Sequence, residues 1–131
     1  MATLALSLLM LQPIPPPEPV YHPPVAGHFS QYNRQPTIDT VSWRRMVGHI
    51  GPERHDGFIA LATCERLGQT VQVQIDGDPR WWTLVIMDCS GHAAATEWMD
   101  SNKILGEIGY FAARDMGLVP GRGASGRMAV Q

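Results

Sequence analysis

Residues Gln69 to Asp88 read "QTVQVQIDGDPRWWTLVIMD", two strand-like runs around a turn. Val71, Val73 and Ile75 alternate with Gln72 and Gln74, which gives one apolar and one polar face, the period-two signature of a half-buried strand. Gly77-Asp78-Pro79 supplies the turn chemistry, and Arg80 to Asp88 is a second, more apolar run. The segment therefore predicts a β-hairpin whose second strand ends on a carboxylate.

Outward from the hairpin, the texture from Gly27 onward is short strand-like pieces separated by Gly, Pro, Asn and Asp. "GHFSQYN" (27–33) alternates weakly, with Phe29, Gln31 and Asn33 against Ser30 and Tyr32, and "GFIALATC" (57–64) is a compact apolar run of strand length. After Pro120, "GRGASGRMAV" (121–130) has turn residues and then a short apolar end, which predicts a closing strand. Within "SNKILGEIGYFAARDMGL" (101–118), Ile104, Leu105, Ile108, Phe111, Ala112 and Met116 follow a spacing near 3.6 residues, so a helix capped by Ser101 or Asn102 is expected. Gly106 and Gly109 divide it into two shorter helices in the alternative reading, and Gly117 is its stop. There is no internal repeat. A hairpin in the middle, a late helix and a final strand read as a small, mainly β barrel with helical insertions.

The 131 residues suffice for one domain, and 44% apolar content at 17% charge is ordinary for a globular chain. A net charge of -2 leaves no positive excess to neutralise a run of phosphates, which argues against nucleic acid as the main partner. The apolar start "MATLALSLLML" has the composition of a signal core but no positive n-region and no Ala-x-Ala site, and it is too short for the roughly 20 residues of a membrane span. A secretory signal and an arm packing on a neighbouring subunit both remain open. Seven of the eleven prolines fall in Pro13–Pro24, "PIPPPEPVYHPP", where fixed φ angles and missing amide donors favour an extended polyproline II strap. The expected division is thus an apolar arm and proline-rich strap over 1–26 and a barrel over 27–131. Cys64 and Cys89 permit one bridge or two inert core thiols.

Several short motifs fall in the order seen in one fold family. Ala60-Leu61-Ala62, then Leu67-Gly68-Gln69-Thr70-Val71-x-Val73, Asp88-Cys89, Met99-Asp100-Ser101 and Ala112-Ala113-x-x-Met116-Gly117 follow one another across Gly27–Val130. The chain in this respect resembles a double-psi β-barrel of the rare lipoprotein A, expansin and barwin type. That resemblance implies six strands with one or two short helices, an extracytoplasmic or secreted location and a polysaccharide or peptidoglycan partner. It also favours a bridge between Cys64 and Cys89. The chain departs from the family pattern in three places: Ser90-Gly91 replaces the expected Pro, Ser101 follows Asp100 with no intervening Leu, and Cys64 stands where the transglycosylases carry a His.

Glycosidic cleavage needs a carboxyl group to protonate the leaving oxygen, alone or with a second acid. Asp100 matches the acid of the family's Asp-Leu-Ser segment and is the first candidate, with a helix N-cap or first-turn acid as its structural alternative. Asp88 is the second, and an acceptor for the amides of the following turn is its structural alternative. Trp81, Trp82, Trp98 and Tyr32 are candidate sugar-stacking residues, since a flat ring covers the apolar face of a pyranose. Adjacent Trp81 and Trp82 must point to opposite faces of a strand, which assigns one of them to the core. His49, Glu53, His55, Asp56 and His92 lack metal-ligand spacing, so no metal is assigned, and no phosphate loop, dinucleotide fingerprint or other cofactor motif occurs.

Two functions follow as expectations. One is a polysaccharide- or cell-wall-associated barrel that cleaves glycan in the manner of a lytic transglycosylase, or loosens it. The other is a non-catalytic structural protein of a filament, envelope layer or virion that docks on protein neighbours through residues 1–24. The catalytic reading requires Asp100 to face an open groove within reach of Asp88 or another polar partner.

Overall fold

A computed structural model describes residues 23–48, 54–90 and 93–130. The apolar arm and most of the strap, with His49, Glu53 and His92, lie outside the described residues. Six strands and three helices follow in the order β1 (Val25–Gln31), α1 (Arg34–Met46), β2 (Gly57–Leu61), β3 (Thr70–Ile75), β4 (Trp82–Cys89), α2 (Ala93–Ser101), β5 (Ile104–Ile108), α3 (Tyr110–Asp115) and β6 (Ala124–Val130).

The hairpin forms as its alternation requires. β3 and β4 pair antiparallel from Thr70↔Val85 to Val73↔Trp82. On the outer face of that pair, Gln72 Nε2 donates to Thr83 Oγ1 at 2.8 Å. The turn closes with the Asp78 amide on the Ile75 carbonyl at 3.0 Å, and Gly77 takes φ of 86°, a conformation that disfavours any residue with a Cβ.

The strands close into a barrel in the order β1-β5-β2-β4-β3-β6, so no strand is left as an open edge. β1 runs parallel to β5 and β2 parallel to β4, while the other four pairs are antiparallel. Phe29, Ile59, Val71, Val73, Leu84, Ile86 and Ile108 fill the interior and are essentially inaccessible to solvent. The barrel is a packed core and not a channel, and its chemistry must lie on the outside or at its ends.

The helices depart from expectation. Three short helices are present among the described residues instead of one or two, because α1 and α2 are too weakly patterned to stand out. In α1, "RQPTIDTVSWRRM", only Thr37 is buried. Pro36 falls in its first turn, where a missing amide costs nothing, and Arg44 and Arg45 lie in its last turn, where the dipole favours cations.

The helix expected from Ser101 does not form as one element. Ile104–Ile108 is strand β5, inserted between β1 and β2, and the helix begins only at Tyr110. Gly106 explains the preference, since a Cβ there would lie 2.8 Å from Ile59 Cδ1 and 3.0 Å from the Ala60 carbonyl oxygen. The residue that weakens the helix allows β5 to approach β2. Ser101 and Asn102 accordingly end α2 instead of capping a new helix, with the Asn102 amide on the Trp98 carbonyl at 3.1 Å.

Candidate functional site

The register sets up a row of residues around one side of the barrel. Ser30 on β1 lies beside Glu107 on β5, Glu107 beside Ala60 on β2, and Ala60 beside Asp88 on β4. The β2–β4 register shifts between Ile59 and Ala60, so that Ile59 faces Ile86 but Ala60 faces Asp88. This irregularity brings Asp88, in place of Met87, beside Ala60, the kind of re-aiming a bulge produces. Glu107 and Asp88 then stand two strands apart, roughly 10 Å between their backbones at ~4.8 Å per strand. Ala60 between them contributes only a methyl group, and the space it leaves is the floor of a cleft.

That cleft, about 260 Å³, is lined among others by Tyr32, Asp88, Glu107, Trp98 and Met99. Tyr32 follows β1, and its hydroxyl donates to Asp88 Oδ2 at 2.8 Å. Arg44 of α1 reaches over β4, donating from Nε to the Met87 carbonyl at 2.7 Å while its Nη2 lies 3.4 Å from Asp88 Oδ1. The Tyr32 phenol is shifted above its ordinary value, first by burial and further by the Asp88 and Glu107 carboxylates, although the Thr40 hydroxyl opposes the shift.

The candidate residues from the sequence separate into two groups. Asp88, Tyr32 and Trp98 share the cleft, and the Trp98 side chain remains 54% exposed at its margin. Asp88 gives its oxygens to Tyr32 and Arg44, and the amide of Ser90 in the following turn goes instead to the Leu61 carbonyl at 3.1 Å. Asp100 does not line the cleft. It is exposed in the last turn of α2, where its carbonyl accepts the Lys103 amide at 3.2 Å, so it is neither an N-cap nor a first-turn acid.

Trp82 is 7% exposed and belongs to the core, with its Nε1 on Asp78 Oδ2 at 3.2 Å and the Arg80 guanidinium 3.6 Å above its ring. Trp81 is half-buried with the Arg127 guanidinium 5.4 Å from its ring. Trp82 and Asp88 are six residues apart on one strand, roughly 20 Å at ~3.3 Å per residue, so this pair of tryptophans belongs to the opposite end of the barrel.

Glu107 and Arg44 are the site residues that the sequence reading did not select. The period-two pattern of Ile104, Gly106 and Ile108 around Glu107 was the available signal, and a helical spacing over the same residues masked it. Arg44 had no local signal at all, since its role depends on how α1 packs against β4. Of the histidine group, His55 Nδ1 accepts the Gly57 amide at 3.1 Å, and the Asp56 carboxylate accepts the Thr83 amide and an Arg80 Nη2 proton.

Cys64 and Cys89 are bridged, which removes the reading of two inert thiols. Cys89 ends β4 and lines the cleft, while Cys64 lies exposed beyond β2. Disulfides persist in oxidising compartments, so the bridge is compatible with an extracytoplasmic location. Among the described residues no helix is long and apolar enough to cross a membrane. No protein-family model, curated protein or solved structure matches the chain.

Proposed function

We propose that this chain is a polysaccharide- or cell-wall-associated, secreted double-psi β-barrel that binds and cleaves glycan at the Asp88–Glu107 cleft. The observation that carries the reading is the meeting of two carboxyl groups, a phenol and an exposed indole in one cleft. The parallel pairing of β1 with β5 and β2 with β4 within a closed six-stranded barrel supports the fold part of the proposal.

The roles follow from the surroundings of each acid. Asp88, held between Arg44 and Tyr32, suits an anion that activates a hydroxyl or stabilises developing positive charge on the sugar ring. Glu107, across Ala60 from it, is the acid that protonates the leaving oxygen and later recovers its proton. Trp98 supplies the apolar face for a sugar ring. Glu107 lines the cleft and Asp100 does not, so the acid role first given to Asp100 passes to Glu107.

The test is turnover of purified peptidoglycan and cellulose, followed by mass spectrometry. The native chain and Asp100→Asn are expected to release products, whereas Glu107→Gln is expected to lose about 10²–10⁴-fold in rate, the usual contribution of a general acid. Products from Glu107→Gln at the native rate would remove Glu107 from the mechanism. No products from the native chain would favour a structural or assembly role. One observation supports that second reading: Trp43, Met46 and Val47 are exposed together at the end of α1, an apolar surface suited to a protein neighbour.

A further inference from the structure

We propose that the Cys64–Cys89 disulfide is a reducible clamp that positions the cleft, so that its reduction loosens Asp88 and the Trp98 helix while the barrel stays folded. Its effect on glycan binding rests on the function proposed above. The argument begins with what the bridge closes. The two cysteines are 25 residues apart in sequence, yet most of that loop is already closed by strand pairing. Leu61 pairs with Cys89, and β3 and β4 pair with each other inside the loop. Farther along, the Gly68 amide donates to the Ile86 carbonyl at 2.9 Å and the Ile86 amide to the Gln69 carbonyl at 2.8 Å. The constraint that the disulfide adds therefore falls on the short segment between Leu61 and Gly68 and on the end of β4.

That end of β4 carries the site. Asp88 immediately precedes Cys89, and Ser90 follows it. The Ser90 hydroxyl donates to the Ala62 carbonyl at 2.8 Å and lies 2.8 Å from the Thr96 hydroxyl of α2. α2 in turn presents Trp98 to the cleft and buries Met99. A line of contacts thus runs from the bridge through Ser90 and Thr96 to the indole.

The bridge is also open to attack, because Cys64 is exposed. A thiolate of an external dithiol attacks Cys64 Sγ, the S–S bond breaks, and Cys89 leaves as a thiolate that takes a proton. The second thiol of the reductant then displaces Cys64 and closes the reductant's own disulfide. Two electrons pass to the protein, and both cysteines end as thiols.

The experiment is amide hydrogen exchange on the full chain, oxidised and after treatment with dithiothreitol, with Cys64→Ser as the second form. Reduction is expected to speed exchange over 62–67 and 93–101 while the amides of β3 and β4 keep their protection. Cys64→Ser is expected to reproduce that pattern and to ignore the dithiol. Unchanged exchange over 93–101 would overturn the proposal, and so would loss of protection throughout β3 and β4, which would make the bridge a staple of the whole fold. Co-sedimentation with peptidoglycan sacculi gives the functional readout, with binding expected to weaken about tenfold on reduction. If the oxidised chain does not sediment with sacculi, the glycan reading fails while the exchange data still decide the clamp.

Discussion

At the scale of single residues, the site is governed by what surrounds each carboxylate. Arg44 and Tyr32 both reach the Asp88 carboxylate, and Tyr32 is harder to ionise, first because it is partly buried and further because the Asp88 and Glu107 carboxylates lie beside it. A phenol whose pKa is raised in the fold favours the protonated form there. The stabilisation it provides is complete below the ordinary tyrosine value of 10.0 and is lost as pH rises through the raised value. Urea midpoints measured across the alkaline range should therefore fall more steeply for the native chain than for Tyr32→Phe, which has no phenol to ionise. Equal slopes would mean that folding does not raise the Tyr32 pKa. Only part of this environment was legible in the sequence. Asp88 stood out because a carboxylate ends an apolar run, whereas Arg44, distant in sequence and on a polar helix, becomes its partner only through tertiary packing.

At the scale of elements, the strands were more legible than the helices, and β5 shows why. Where alternation was clean, as in Val71, Val73 and Ile75, the strand formed where the pattern placed it. In Ile104–Ile108 the same five residues satisfied a helical spacing with their neighbours, and the close approach of β2 decided between the two. Gly106 is the residue through which that approach acts. Gly106→Ala should improve the intrinsic helix propensity of the segment and still destabilise the protein, because its methyl group must displace Ile59 Cδ1 and meet the Ala60 carbonyl. A loss of about 1–3 kcal/mol in urea unfolding is expected, the usual cost of overpacking a tight core contact. The same substitution should lower glycan turnover measured well below the unfolding midpoint, since Glu107 is the next residue on the displaced strand. A variant of native stability would show that β5 owes its place to something other than close packing.

At the scale of the whole molecule, closure divides the barrel into two ends with different duties. A closed and filled barrel offers neither an edge nor an interior to a ligand, so the proposed glycan site is at the end where the strand register leaves a gap, beside Ala60. Trp81, Trp82, Trp98 and Tyr32 were the candidate sugar-stacking residues, and sequence alone cannot tell which of these rings share a surface. The topology can, because position along β4 converts directly into distance between the ends. Trp98→Ala should then weaken sedimentation with peptidoglycan while leaving the unfolding midpoint almost unchanged, since its side chain is mostly solvent-exposed. Trp82→Ala should do the reverse, costing about 3–5 kcal/mol of stability for a large core side chain removed, with glycan binding retained where the variant remains folded. The two measurements on the two variants separate a binding residue from a packing residue. If both indoles affected binding alike, the cleft at Asp88 would not be the sole sugar-contact surface, and the polar surface around Trp81 and Arg127 would have to share that duty.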